Sequence, residues 1–198
     1  MARPRSFDPD AALGAALAVF WRQGYDGTSL ADLVEATGLS RSSLYATWTD
    51  KDGLYRAALA HYDAVVAVPL LGPLLTGGRS AIETHLRSFA ALAAGDGRGL
   101  GCFVVNTAAE FGTDPAMADL VRSLLDRVES AYRTALTTAV DRGELPADLD
   151  VDAHAAHLAV AQQALLLQAR RGAPAATIDA FVELTLSTLP PEAPCAAS

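Results

Sequence analysis

Cysteine is scarce in this 198-residue chain: Cys102 and Cys195 stand far apart, the second within the Pro/Ala-rich end PPEAPCAAS. A disulfide framework is therefore excluded, and a reducing, cytoplasmic setting is the expectation. Strand signals are nearly absent, because no segment alternates apolar and polar residues between hairpin turns. Long apolar runs are missing too. The longest, AVVAVPLLGPLL at 64–75, is interrupted by Pro69 and Pro73, so no membrane partner is expected. The amino end, MARPRSFDPD, shows no basic-then-apolar leader and reads directly into a capped helix. The glycine-rich GDGRGLG at 95–101 follows a helical segment and lacks the lysine of a nucleotide loop. His154 and His157 share a helix face near Asp150 and Asp152, but no cysteine or third histidine is close. A helix start is the plainer reading of those four, so neither a metal nor a cofactor is expected. The rival reading, an all-α enzyme or metal protein using them, has no nucleophile–base pair to support it.

What is present points to an ordered helical protein. Hydrophobic residues make up 51% and charged ones 19%, enough for a sizeable core. The net charge of −8 argues against a chain coated with nucleic acid, yet it is unevenly spread. Residues 1–56 carry six bases against seven acids, and the remaining residues nine against sixteen. A nucleic-acid-binding unit attached to an acidic body is compatible with that division.

Helical signals recur along the whole chain. Asp8 followed by Pro9 is an N-cap with proline at the first helical position, and Leu13, Ala16, Leu17 and Phe20 form a stripe that Gly24 ends. Thr28 or Ser29 starts a second helix with Leu30, Leu33 and Val34 inward, closed by Gly38. Ser40 caps a short third one, with Leu44 and Trp48 inside. Thr49, with Asp52 three residues on, reads as the capping box of a fourth running towards Pro69. Segments near 79–94, 101–112, 115–142, 152–171 and 175–189 follow, separated by LTGGR, GDGRGLG, TDP, RGELPADLD and RGAP. The expected fold class is all-α, with about nine helices: a DNA-binding domain at 1–50, a larger helical domain at 51–189 and a disordered tail at 190–198.

Residues 38–54, GLSRSSLYATWTDKDGL, gather three serines, two threonines, two aromatics, an arginine and a lysine. Two helices across a glycine turn, the second short and polar outside, match a helix-turn-helix. Arg41, Ser42, Ser43, Tyr45, Ala46 and Thr47 would then face outward, where hydroxyls and one guanidinium reach base edges or phosphates in a major groove. Lys51, in the first turn of the next helix, suits a phosphate. Thr28 is a natural backbone contact, and Arg3 and Arg5 form a basic arm. A helical corner with core aromatics is the bland alternative.

The stretch GTSLADLVEATGLSRSSLYATWTDKDGLYRAAL at 27–59 resembles the helix-turn-helix signature of tetracycline-repressor-type (TetR/AcrR) transcriptional regulators. Thr28, Gly38, Ser40, Leu44, Tyr45, Trp48, Lys51 and Leu54 occupy the signature places. Ala46 and Thr47 stand where members often carry His, Tyr or Trp, and Trp48 stands for the commoner Phe. The resemblance implies phosphate roles for Thr28, Ser43, Tyr45, Thr47 and Lys51, with Arg41 and Ser42 facing bases. GCFVVNTAAEFG at 101–112 is similar to the regulatory half of one branch.

That resemblance implies a ligand-responsive regulator, most simply a repressor, that binds palindromic double-stranded operator DNA as a homodimer and is released by a small-molecule effector. Candidate effector-pocket residues are His61, Tyr62, Leu86, Phe89, Cys102, Phe103, Asn106, Glu110, Phe111 and Tyr132. Asn106 and Glu110 are the telling pair, since polar groups at i and i+4 on an apolar helix need partners if buried. Cys102, beside a glycine turn at a helix start, is placed where a thiolate is stabilised. Leu158, Leu165, Leu166, Phe181 and Leu184 on the last two long helices are the dimer-interface candidates, with intramolecular core as the alternative.

Overall fold

The computed structural model describes residues 7–94, 99–111 and 114–191. Its element order is α1 (Pro9–Gln23), α2 (Leu30–Thr37), α3 (Arg41–Trp48), α4 (Lys51–Tyr62), a π-helical turn (Asp63–Ala67), α5 (Val68–Thr76), α6 (Arg79–Ala94), α7 (Phe103–Phe111), α8 (Pro115–Asp141), α9 (Val151–Arg170) and α10 (Ala175–Leu186). Because α4, the π turn and α5 form one continuous rod, Lys51–Thr76, nine rods make up the described residues. The all-α expectation holds. Arg3, Arg5, Cys195 and most of the expected tail lie outside the described residues.

The helix starts follow local chemistry. Asp8 accepts from the Asp10 and Ala11 amides, 2.9 and 3.4 Å away, ahead of Pro9. Ser29, rather than Thr28, begins α2, in a capping box with Asp32. Ser40 accepts from the Ser43 amide at 3.1 Å. The expected Thr49 cap is displaced by one residue: Asp50 accepts from the Gly53 amide at 2.7 Å, while Thr49 closes α3 at φ +69°. Thr49 is drawn there because its amide still bonds the Tyr45 carbonyl, at 2.9 Å, before the chain reverses.

Pro69 and Pro73 do not break the long rod. A proline removes one ladder donor and collides with the carbonyl four residues back. The π turn at Asp63–Ala67 rephases the ladder just before Pro69, which then sits in the first turn of α5. The rod is therefore long and apolar enough by composition to cross a bilayer. Here it instead lies against α1 at one end and α8 at the other.

Two apolar clusters organise the packing. One joins α1–α4 to α7 and the start of α8 through Ala16, Leu17, Phe20, Leu33, Leu44, Leu54, Tyr55, Phe103, Val104, Met117 and Val121. The other joins α5, α6, α8, α9 and α10 through Leu74, Ile82, Leu86, Tyr132, Leu136, Leu158, Leu165 and Val182. The second encloses a polar triad. His85 Nε2 lies 3.0 Å from Gln162 Oε1, which also accepts from the Tyr132 hydroxyl at 2.8 Å. Burial lowers the His85 pKa, opposed by its bonds to Gln162 and the Leu70 backbone.

Leu44 is 1% exposed at the centre of the α2–α3 pair. Leu44→Ala should destabilise the protein by about 2–5 kcal/mol in chemical denaturation at fixed protein concentration. His85 supplies a pH test. Its lowered folded pKa makes the unfolded chain the tighter proton binder, so its share of stability is complete above about pH 6.5 and is lost as pH falls towards the folded value. Thermal melts across that range should therefore decline less steeply on the acid side for His85→Gln than for the parent protein.

Candidate nucleic-acid interface

The α2–α3 pair presents the surface that the sequence singled out. Leu33 and Leu44 are buried between the helices, and Leu30, Val34, Leu39, Tyr45 and Trp48 pack around them. Outward, Arg41, Ser42 and Ala46 are exposed, while Ser43, Tyr45 and Thr47 are half-buried. The hydroxyls of Ser42 and Ser43 both lie 2.9 Å from the Ser40 hydroxyl. The Arg41 guanidinium sits 5.5 Å from the Tyr45 ring centre, and Thr47 donates to the Ser43 carbonyl at 3.0 Å. A helix N-terminus edged with hydroxyls and one planar cation suits a groove lined by phosphates and base edges. The turn into α4 is close-fitting: a Cβ on Gly53 would overlap the Trp48 carbonyl. Lys51, the one lysine of the sequence, begins α4 at that turn.

Thr28 departs from the expectation. It is only 2% exposed, and its hydroxyl donates to the Gly24 carbonyl at 2.6 Å. Its side chain is spent on closing the α1–α2 turn, and the exposed neighbour is Ser29.

The effector-pocket candidates scatter. Tyr62, Phe89 and Cys102 line an interior cavity of about 40 Å³ together with Gln162 and Leu166. Leu86 and Tyr132 are fully buried core. Phe103 belongs to an aromatic cluster, its ring centre 5.3 Å from Tyr55 and 5.7 Å from Tyr62. His61 lies against α1, its Nε2 3.7 Å from the place a Cβ on Gly14 would take. Asn106 donates to the Leu100 carbonyl at 2.9 Å, so its amide closes a turn. Glu110 is exposed and accepts from the Tyr25 amide at 2.7 Å. Asn106 and Glu110 are thus both satisfied by backbone groups outside their own helix.

Phe111 lines a larger hollow, a groove of about 350 Å³ between α7, α8 and α9. Thr107, Met117, Val121, Leu125 and Ala159 floor it, and Arg122, Asp126, Glu129, Val160 and Gln163 stand at its rim. Nothing local in the sequence signals this groove, since its lining has the composition of ordinary core.

Cys102 carries no stabilised thiolate. Burial pushes its pKa up, and the Tyr62 hydroxyl donates to its sulfur at 3.7 Å. Tyr55, buried and bonded to the Thr107 hydroxyl at 2.9 Å, has its pKa pushed up to about 12 by desolvation. Two further links join the α1–α4 unit to the rest: Trp21 donates to the Gly101 carbonyl at 3.2 Å, and Arg56 pairs with Asp114 at 3.3 Å.

The dimer candidates divide by helix face. Leu158 and Leu165 are buried in the protomer's own core, which removes them from any interface. Leu166 and Phe181 are half-buried, and Leu184 is 69% exposed. The sequence reading missed Val160 and Leu167, exposed and seven residues apart on the outer face of α9.

Comparison with known proteins agrees with this geometry. The family described as bacterial regulatory proteins, tetR family, matches residues 12–58, and the tetracyclin repressor-like C-terminal domain matches residues 78–183. The HTH-type transcriptional repressor ComR of Escherichia coli (strain K12) is 35% identical over 191 residues, covering 94% of this chain and 90% of that protein. The uncharacterized HTH-type transcriptional regulator YezE of Bacillus subtilis (strain 168) is 31% identical over 195 residues, covering 96% and 100%. Among solved structures, a cysteine-substituted form of the TetR family regulator CifR, complexed with 26-bp operator DNA, superposes with a TM-score of 0.84. It is 35% identical and covers 95% of this chain and 100% of that one. With family matches over both halves and relatives spanning nearly all of its length, the chain belongs to the tetR family of bacterial regulatory proteins and is a DNA-binding regulator of transcription.

Proposed function

We propose that this regulator represses transcription as a homodimer on a palindromic operator and is released by a small-molecule effector. The observation that supports it best is the α2–α3 pair, which offers Arg41 and the serine hydroxyls outward beside Lys51 on a rigid base. In this reading the role is regulatory rather than catalytic, and its place is the cytoplasm. The DNA-reading unit is residues 1–50, extended by the first half of α4. Arg41 and Ser42 face base edges, and Ser43, Tyr45, Thr47 and Lys51 face phosphates. One eight-residue helix reads few base pairs. Two of them, about one helical turn (~34 Å) or a multiple apart, give useful specificity.

For dimerisation, Leu167 of α9 and Leu184 of α10 are large apolar side chains left open to solvent, and Val160, seven residues before Leu167, stands where this face meets the rim of the groove. This face suits pairing, because two antiparallel helices can pack with their copies across a two-fold axis. For the effector, size decides between the hollows. The interior cavity holds on the order of one water. The groove of about 350 Å³ falls in the range of roughly 300–1,000 Å³ that receives small organic ligands. A largely apolar effector seated there, binding one domain arrangement better than the other, would shift operator affinity by about 1–3 kcal/mol.

Selection of duplexes from a random pool should recover an inverted repeat; recovery of no shared sequence would overturn the reading. On the selected duplex, Lys51→Ala should reduce the salt-dependence slope by about one per subunit, whereas Arg41→Ala should relax base preference by about 1–3 kcal/mol at one position. Sedimentation equilibrium checks the interface. Leu167→Glu with Leu184→Glu should yield a folded monomer, and a persistent dimer would exclude this face.

A further inference from the structure

Among the described ion pairs none involves Lys51; its ammonium instead lies 4.2 Å from the centre of the Tyr25 ring. A ring face holds a cation without neutralising it, so the charge stays available to an anion. Tyr25 is also packed against α7 and α4. Its ring centre is 4.8 Å from Phe111, at 66°, and 5.3 Å from Tyr55, at 90°. Its amide donates to Glu110 at 2.7 Å, and its hydroxyl donates to Asp52, the residue after Lys51. The contact with Glu110 depends on Gly24. Its φ of +76° suits glycine, and a Cβ there would overlap the Glu110 carboxylate. Glu110 and Phe111 end α7, the helix whose Thr107, Ala108 and Phe111 line the groove.

We infer that Glu110 and Tyr25 form a latch that positions Lys51 for its phosphate and carries the placement of α7 to the operator contact. The inference rests on the phosphate role proposed for Lys51, and it assigns Glu110 to positioning rather than to effector binding. The physical reason is entropic. A lysine ammonium already held over a ring makes the phosphate contact at little cost in rotamer freedom, whereas one free in solvent keeps its many rotamers and leaves the contact, and the counterion release that goes with it, unmade. Displacement of α7 by a groove ligand moves Glu110 and Phe111 together. Tyr25 then no longer presents its face to Lys51.

The test uses the full-length dimer, the duplex recovered by selection, and fluorescence anisotropy across a series of sodium chloride concentrations. Glu110→Ala and Tyr25→Leu should each weaken binding about tenfold and lower the slope of log affinity against log salt by about one per subunit, as Lys51→Ala does. Glu110→Gln, which keeps an acceptor, and Tyr25→Phe, which keeps the ring, should retain the parent slope. Tyr25→Leu should add nothing in the Lys51→Ala background. The slope does not depend on the active fraction, so partial unfolding of a variant does not imitate the effect. If Lys51→Ala flattens the slope while Glu110→Ala and Tyr25→Leu keep it, the latch is wrong and the DNA reading stands. If the parent protein selects no duplex, the function reading itself falls, and the latch with it. If the parent binds and Lys51→Ala changes nothing, the phosphate role of Lys51 and the latch built on it both fall, while the DNA reading stands.

Discussion

The aromatic joint between α1, α4 and α7 is the constraint on which the rest of the molecule depends. Phe20, Tyr25, Tyr55, Phe103 and Phe111 meet mostly edge-to-face or tilted, with most ring centres about 5 Å apart, and Phe20 stacks on Tyr25 at 6.4 Å. Each such pair adds roughly 0.5–1.5 kcal/mol to the burial of its surface. Side chains from three helices interlock there, so no helix can slide without opening the others. A small DNA-reading unit of short helices would be weakly stable by itself, and the joint supplies it with core from the regulatory half.

Polar groups within the joint and the second core are satisfied rather than avoided. The Tyr55 hydroxyl meets Thr107, whose own hydroxyl donates to the Phe103 carbonyl at 2.8 Å, and Tyr132 and His85 share Gln162. Such bonds are directional, and an unpaired partner in a dry core is costly, so they specify one arrangement of α4 against α7 and of α6 against α8 and α9. A regulator needs that definition. A shift of one to two ångströms at α7 is transmitted only if the packing beside it has few alternatives.

Much of the fold was legible because helix ends are written in local chemistry. Asp8–Pro9, Ser40 and Gly38 act within a few residues of themselves, and the segment 79–94 emerged with the bounds expected. The readings that failed all needed information from elsewhere. Thr49 yielded the cap to Asp50 because the reversal into α4 is set by Gly53 against the Trp48 carbonyl. Pro69 did not end its helix because the π turn just upstream absorbed the conflict, while Pro73 is carried inside α5. Asn106 and Glu110 looked like pocket residues because their partners, Leu100 and Tyr25, lie beyond their own helix.

By itself the sequence determined an all-helical chain with a hydroxyl-edged recognition helix near its amino end, since capping, helical periodicity and turn residues act over three to seven positions. Only the tertiary structure decided which apolar residues face which neighbour. Leu158 and Leu165 went inward and Val160 and Leu167 outward on one alanine-rich helix, and Phe111 became a groove wall while Leu86 became core. Apolar side chains are interchangeable to local energetics, and their roles are assigned only when distant helices compete for the same surface.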